Sequence, residues 1–241
     1  MTRARGRFTH WVFIAACTVA LVIVLAGPLV RFDLVAFRTM FGILSNATIA
    51  AGVIALIALV AIIIDWRAKR GVLKALLAFA IAGVPFLFMM SLASGAQSVP
   101  AIHDITTDTD DPPAFVAVLP LRADAPNPPD YDPEVGAQQI DGYPDLQSLS
   151  LPVAPPEAFA RAEAALDAEG LEIIASEPEE GRLEATATTA WFGFKDDVVI
   201  RVRSAGETSS VVDIRSKSRM GMSDLGANAA RIEALLARIE G

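Results

Sequence analysis

Hydrophobic positions divide the chain into two regimes. In the first they run on unbroken. Trp11 to Val30, Ile43 to Ile64 and Val72 to Leu92 are almost wholly apolar, and each is long enough to cross a hydrocarbon core of about 30 Å as a helix. A water-soluble bundle would need a polar face on each helix, and these stretches have none. Lys74, near the start of the third, can extend its ammonium to the interface. Gly42, Gly52 and Gly83 are expected to allow close helix packing, and Pro85 to kink the third span. In the second regime the period shortens to two. Leu183, Ala185, Ala187, Thr189 and Trp191 alternate with Glu184, Thr186 and Thr188. Val198, Ile200 and Val202 alternate with Val199, Arg201 and Arg203, and Val212 and Ile214 with Val211, Asp213 and Arg215. These predict half-buried antiparallel strands, with Leu171 to Ala175 as a further short one.

Two helices flank the strands. Pro155-Pro156-Glu157 opens the first, Phe159, Ala162 and Leu166 share its inner face, and Gly170 ends it. The second is predicted from Asp224 to Ile239, with Ser223 as N-cap. The fold class that follows is α+β: three transmembrane helices, then a two-layer domain with an antiparallel sheet and two helices on one face. The opposite sheet face would present Glu184, Thr186, Thr188, Arg201, Arg203, Asp213 and Arg215. The predicted division is residues 1–93 for the spans, 94–155 for a connector and 156–241 for the domain. The stretch from Ser94 to Pro156 carries twelve prolines, which predicts extended chain and turns lying partly along the domain surface.

Charge follows the same division. Up to Leu92 the chain has about nine Lys/Arg against two Asp/Glu, and beyond it about eleven against twenty-six. An acidic polar part excludes nucleic acid as a partner, because phosphates require a basic footprint. Mean hydropathy is +0.45, and the bilayer is the first partner it implies. Arg3, Arg5 and Arg7 precede the first span, and Asp65, Arg67, Lys69, Arg70 and Lys74 lie between or at the ends of the second and third. Asp104, Asp108, Asp110 and Asp111 follow the third. The positive-inside bias then predicts a multi-pass inner-membrane protein with a cytoplasmic N-terminus and a periplasmic C-terminal domain. Trp11 and Trp66 are placed as interfacial anchors. Cleavage as a signal peptide is not expected, since two more spans follow. Cys17 is the one cysteine. Ile14-Ala15-Ala16-Cys17 has the look of a lipoprotein box, but a long apolar run follows it, so a buried thiol is the expectation. No span carries an ionisable residue at its centre, which argues against a transporter.

The densest mixture of aromatic, acidic, glycine and arginine residues runs from Trp191 to Arg231. Trp191-Phe192-Gly193-Phe194-Lys195-Asp196-Asp197 and the phrase from Arg215 to Asn228 resemble the family catalogued as domain of unknown function 1499. The segment from His103 to Asp108 is similar to its proteobacterial, membrane-anchored branch. The resemblance implies fold and location, and no mechanism.

The candidate ligand-binding residues are His103, Asp104, Asp196, Asp197, Arg215, Arg219, Asp224, Asn228 and Arg231. Arg215, Lys217 and Arg219 alternate at strand spacing, and the amides of the helix opening at Ser223-Asp224 favour anions. Together they could hold a phosphate or carboxylate. The bland alternative is a bridge from Arg219 or Arg231 to Asp224. Adjacent Asp196 and Asp197 point to opposite faces of a strand, and pairing with arginines is favoured over a shared cation. Around His103, Thr and Asp side chains are expected to fix turns rather than bind metal, and no metal or cofactor is implied. No nucleophile elbow, P-loop or dinucleotide fingerprint appears. The leading expectation is an extracytoplasmic binding or structural module of the bacterial cell envelope, with an envelope protein or anionic small ligand as partner. The alternative is a membrane-tethered hydrolase of an anionic envelope substrate, with His103 as base and Arg215 and Arg219 as clamp. A third is that the spans act by helix association.

Overall fold

A computed structural model describes residues 2–68 and 72–241. Lys69 and Arg70, counted above among the loop charges, lie outside the described residues, as do the side chains of Arg3 and Arg5. The chain forms two compact units. One comprises residues 1–95 with Ala190–Gly193, and the other residues 96–189 and 194–241.

The first unit holds three helices long and apolar enough to cross a membrane: α1 (Thr2–Arg31), α2 (Phe37–Arg67) and α3 (Leu73–Ala96). Alanines at three- and four-residue spacing make their seams. Ala51, Ala55 and Ala58 of α2, Ala78 and Ala82 of α3 and Ala16 of α1 are buried, and small side chains let helix backbones approach where lipid offers no hydrophobic drive. Gly52 serves this seam, since a Cβ there would meet the Phe86 ring at 2.8 Å. Gly42 faces open space instead, so the close packing expected of it is absent. Helix α3 continues unbroken through Pro85. At one end of the bundle Thr9 donates to the buried Asp65 carboxylate at 2.9 Å, and Lys74 meets His10 at 3.2 Å. Trp11 and Trp66 face outward.

The loop Ala190–Gly193 clusters with these helices. Trp191 Nε1 donates to the Val24 carbonyl at 3.3 Å, and Phe192 meets the Phe37 ring edge-on at 5.7 Å. The strand expected to reach Trp191 therefore stops at Thr188. Thr189 and Phe194 close a turn through the Thr189 N–H and hydroxyl, and Gly193 takes the left-handed φ of 73° that this turn needs.

The second unit is a six-stranded antiparallel sheet. Its strands are β1 (Asp104–Thr106), β2 (Leu149–Leu151), β3 (Glu172–Glu177), β4 (Arg182–Thr188), β5 (Lys195–Gly206) and β6 (Ser209–Ser218). The order is β1-β6-β5-β4-β3, and β2 shares the outer edge of β6 with β1. Strand β1 pairs with residues 215–217 of β6 and β2 with residues 210–212. Both short strands come from the proline-rich stretch read as a connector, and each is too brief to show a period. A bulge between Ile173 and Ala175 interrupts β3, the other edge.

Helices α5 (Pro155–Ala168) and α6 (Ala227–Glu240) cover one face. Phe159, Leu166, Ile232, Leu235 and Ile239 pack there against Leu183, Val198, Ile200, Val212 and Ile214. The opposite face does carry Glu184, Thr186, Arg201, Asp213 and Arg215, as the alternation predicts, but it is not open. Residues 107–132 cross it as a strap that seats Phe115 and Val118 on Val199 and includes a turn of 3-10 helix at Leu119–Arg122. Helix α4 (Pro133–Gly142) follows. Its Gln139 side chain accepts from Thr106 N at 2.9 Å and donates to Thr106 O at 2.6 Å, which satisfies the outward backbone groups of β1 as a neighbouring strand would.

A buried charge layer as candidate functional site

Strand register fixes where each charged residue points. Odd-numbered positions of β6 after Val211 and Asp197 of β5 face the strap, and even-numbered ones face the helices. On the strap side Asp104 is fully buried. It accepts from Arg215 Nε and Nη2 at 2.9 and 2.8 Å and from Lys217 Nζ at 2.9 Å. Asp197 is likewise buried and accepts from Arg219 Nε and Nη2 at 2.9 and 2.8 Å, from Arg122 Nη1 at 2.6 Å and from Thr186 at 2.7 Å. Two carboxylates thus face four cations. Strap carbonyls take further donors: Pro113 and Pro129 from Arg215, Asp130 from Lys217, Leu121 from Arg219 and Asn127 from Arg122. Phe115 lies between two guanidiniums, 5.4 Å from Arg122 and 4.8 Å from Arg215.

Burial pushes the Asp197 carboxyl up, but hydrogen bonds from Arg219, Thr186 and Arg122 outweigh it and hold the group below its ordinary value. Lys217 is lowered, chiefly by burial, despite Asp104 beside it. Tyr131, against Arg215, is pushed up to about 12 by burial and then by the Asp104 charge.

Two further clusters extend the layer. Asp213 accepts from Arg201, Arg203 and Ser148, and Arg201 and Arg203 also reach Asp108. The Asp108 carboxylate accepts in addition from the amides of Asp110 and Asp111, which fixes that turn. Glu184, fully buried in β4, collects the consecutive N–H groups of Val116, Ala117 and Val118 at 2.9–3.1 Å and pairs with Arg182. Three amides converging on one carboxylate form an anion nest, here filled by the chain itself.

The remaining candidates meet on the helix side. Arg231 pairs with Asp196 at 2.8 Å and donates to Ser216 and Asn228. Asn228, fully buried, donates to Ser218 and to the His103 carbonyl. His103 therefore stands beside the motif, and its carbonyl also accepts from Ser218 N at 2.9 Å. Neither bridge proposed for Asp224 forms. Its carboxylate accepts from Gly226 N and Asn228 N at 2.9 and 2.8 Å, and α6 begins at Ala227 rather than Asp224, with Gly226 at the N-cap in place of Ser223. A left-handed φ of 58° at Leu225 and 83° at Gly226 delays the helix, and burial raises the Asp224 carboxyl.

The sheet consequently separates the candidates. Asp104, Asp197, Arg215 and Arg219 lie on one side, and Asp196, Asp224, Asn228 and Arg231 on the other. The anion clamp drawn from Arg215, Lys217, Arg219 and the helix amides is not assembled: Asp104 and Asp197 hold the three cations, and Asp224 takes the amides of Gly226 and Asn228. Arg231 instead borders an open groove of about 360 Å³, lined also by Gly170, Leu171, Thr188, Ala227 and Ala230. Among the described residues no three His, Cys, Asp or Glu side chains converge as for a metal ion.

Sequence reasoning missed Arg122, Gln139 and the role of Glu184. Arg122 had a signal, being the one basic residue between Ser94 and Pro156. A lone arginine in an acidic, proline-rich stretch needs a buried partner to be useful there.

The profile of the family described as Protein of unknown function (DUF1499) matches residues 104–239. The chain belongs to this family. The DUF1499 match opens on the first residue of β1 and ends within the last turn of α6. It therefore takes in the strap and its ion pairs and leaves out the three apolar helices. No curated protein matches the chain.

Proposed function

We propose that this protein is a membrane-anchored binding or structural module of the bacterial cell envelope, with the sheet unit displayed outside the cytoplasm. One observation carries the reading: the charged side chains of the DUF1499 motif are bonded to one another. Asp104 holds Arg215 and Lys217, Asp197 holds Arg122 and Arg219, and Asp196 holds Arg231. Groups so engaged fasten the strap and α6 to the sheet and leave surface and groove to meet a partner. The distribution of arginine and lysine around the three apolar helices supports the orientation. Labelling intact cells with a membrane-impermeant maleimide tests it, using Glu179→Cys in a Cys17→Ser background. Reaction without permeabilisation is expected, and protection until lysis would reverse the orientation.

The hydrolase reading has one observation in its favour, the placement of His103 beside Ser216 and Ser218 through β1. Against it, Arg215 and Arg219 are occupied by Asp104 and Asp197 and are not free to clamp substrate. Native mass spectrometry of the full chain in lipid nanodiscs separates the readings. Retained mass lost on Arg231→Ala would mark the groove as a ligand site. Turnover of an anionic envelope fragment abolished by His103→Ala would favour the hydrolase.

A further inference from the structure

We propose that one end of the sheet, carrying Leu119, Leu121, Met222 and Leu225, is a lipid-contacting surface that seats in the interfacial zone of the bilayer. The inference rests on the reading that α1–α3 span a membrane.

These side chains are 40%, 51%, 84% and 53% exposed, and Met222 is the most exposed large apolar residue described in the chain. They come from two segments far apart in sequence, the 3-10 turn of the strap and the loop between β6 and α6. The two segments are tied together. Arg219 Nη1 donates to the Leu121 carbonyl at 2.8 Å, Asn127 Nδ2 donates to Gly221 O at 2.9 Å, and Asn127 N donates to Arg219 O at 3.0 Å. Apolar side chains held outward on pinned backbone are a built surface, because water alone would favour polar residues there. The Asp224 carboxylate and its own N–H, which donates to Ile102 O, order the loop further.

Chain connectivity selects the occupant. Strand register puts Lys195, Ser218 and the first residue of β1 at this same end, since Asp104 pairs with Lys217 and Asp196 with Ser218. Only residues 97–103 separate the last residue of α3 from Asp104. Fully extended, that connection spans at most about 28 Å. The end bearing Met222 is thus the end joined to α3 by this short connection, whereas the turn at Pro178–Gly181 closes the far ends of β3 and β4. An exposed lysine, Lys195, borders the patch and suits phospholipid phosphate. Leucine and methionine suit the acyl boundary beneath it.

The test uses the full chain in a Cys17→Ser background, labelled with an environment-sensitive fluorophore at Met222→Cys or Leu225→Cys. It is reconstituted in phosphatidylethanolamine–phosphatidylglycerol vesicles with nitroxide-bearing lipids. Val53→Cys, on an outward face of α2, reports whether the helices span, and Glu179→Cys reports the far end of the sheet. Expected is blue-shifted emission and loss of fluorescence to nitroxide lipid at positions 222 and 225, with none at 179. Quenching at 53 but not at 222 and 225 overturns the surface and leaves the membrane reading standing. No quenching at 53 overturns both. A blue shift at 222 in native membranes that is absent in pure lipid vesicles also overturns it, in favour of a protein cover.

Discussion

Asp104 and Lys217 are bonded to each other, yet their removal should have opposite weight. Asp104 is the one carboxylate against two buried cations, Arg215 and Lys217, and together with Asp197 it balances only half of the four cations bonded to the two. Asp104→Asn keeps the shape and leaves those two cations facing each other without a counter-charge. Removing one partner of a buried pair costs about 3–5 kcal/mol. Lys217→Met deletes one surplus charge and keeps most of the apolar stem. Its ammonium is already disfavoured by burial, so the cost should be about 1 kcal/mol or less. Hydrogen exchange of the β5 and β6 amides in detergent-solubilised protein measures both. At about 1.4 kcal/mol per tenfold, Asp104→Asn should speed exchange by roughly two to three and a half orders of magnitude, and Lys217→Met by less than about tenfold. Acceleration by Lys217→Met equal to that by Asp104→Asn would refute a surplus of cations around Asp104.

Other consequences are as direct. Glu184→Ala leaves three strap amides without their acceptor, so limited proteolysis should cut between Phe115 and Asn127 at least about tenfold faster while β5 and β6 stay protected. Gln139→Ala should bare the edge of β1 and raise exchange at Thr106 by about tenfold, with little change at β4. Because the Asp197 carboxyl lies below its ordinary 3.8 when folded, its contribution is present above 3.8 and is lost as pH falls through the lower folded value. Asp197→Asn should be less stable at pH 7 yet flatter in acid titrations followed by circular dichroism. Lys217 runs the other way. With its folded value below 10.5, stability should rise as pH climbs through the folded value toward 10.5, and Lys217→Met should remove that rise.

Composition alone gave the apolar helices, because a span of about twenty residues needs nothing beyond its own side chains to be recognised. Alternation gave β4, β5 and β6 and correctly divided Asp196 from Asp197. It failed where structure is made by distant partners. Strand β1 is three residues, all buried, and its outer edge is completed by a glutamine 33 positions later. The partners of Asp197 lie 75 and 22 residues away, and those of Asp104 lie 111 and 113 away. No local window contains such a pairing. The α6 start slipped by three residues for a local reason, the left-handed pair Leu225-Gly226, since a leucine there defies its usual preference. The motif stands out in the sequence because it assembles this layer, and prominence of charge in a sequence does not by itself say whether the charge is offered or engaged.

The two margins of the sheet carry one more consequence. Beside β6 the outer row is occupied by β1 and β2 end to end, with Gln139 covering Thr106, while β3 is bulged and carries Glu172 and Glu177 exposed. Neither margin offers a flat, open template for another chain, the usual route to strand addition and to intermolecular β aggregation. A partner is thereby restricted to reading side chains and shape, and neighbouring copies crowded in one membrane can collide without zipping together.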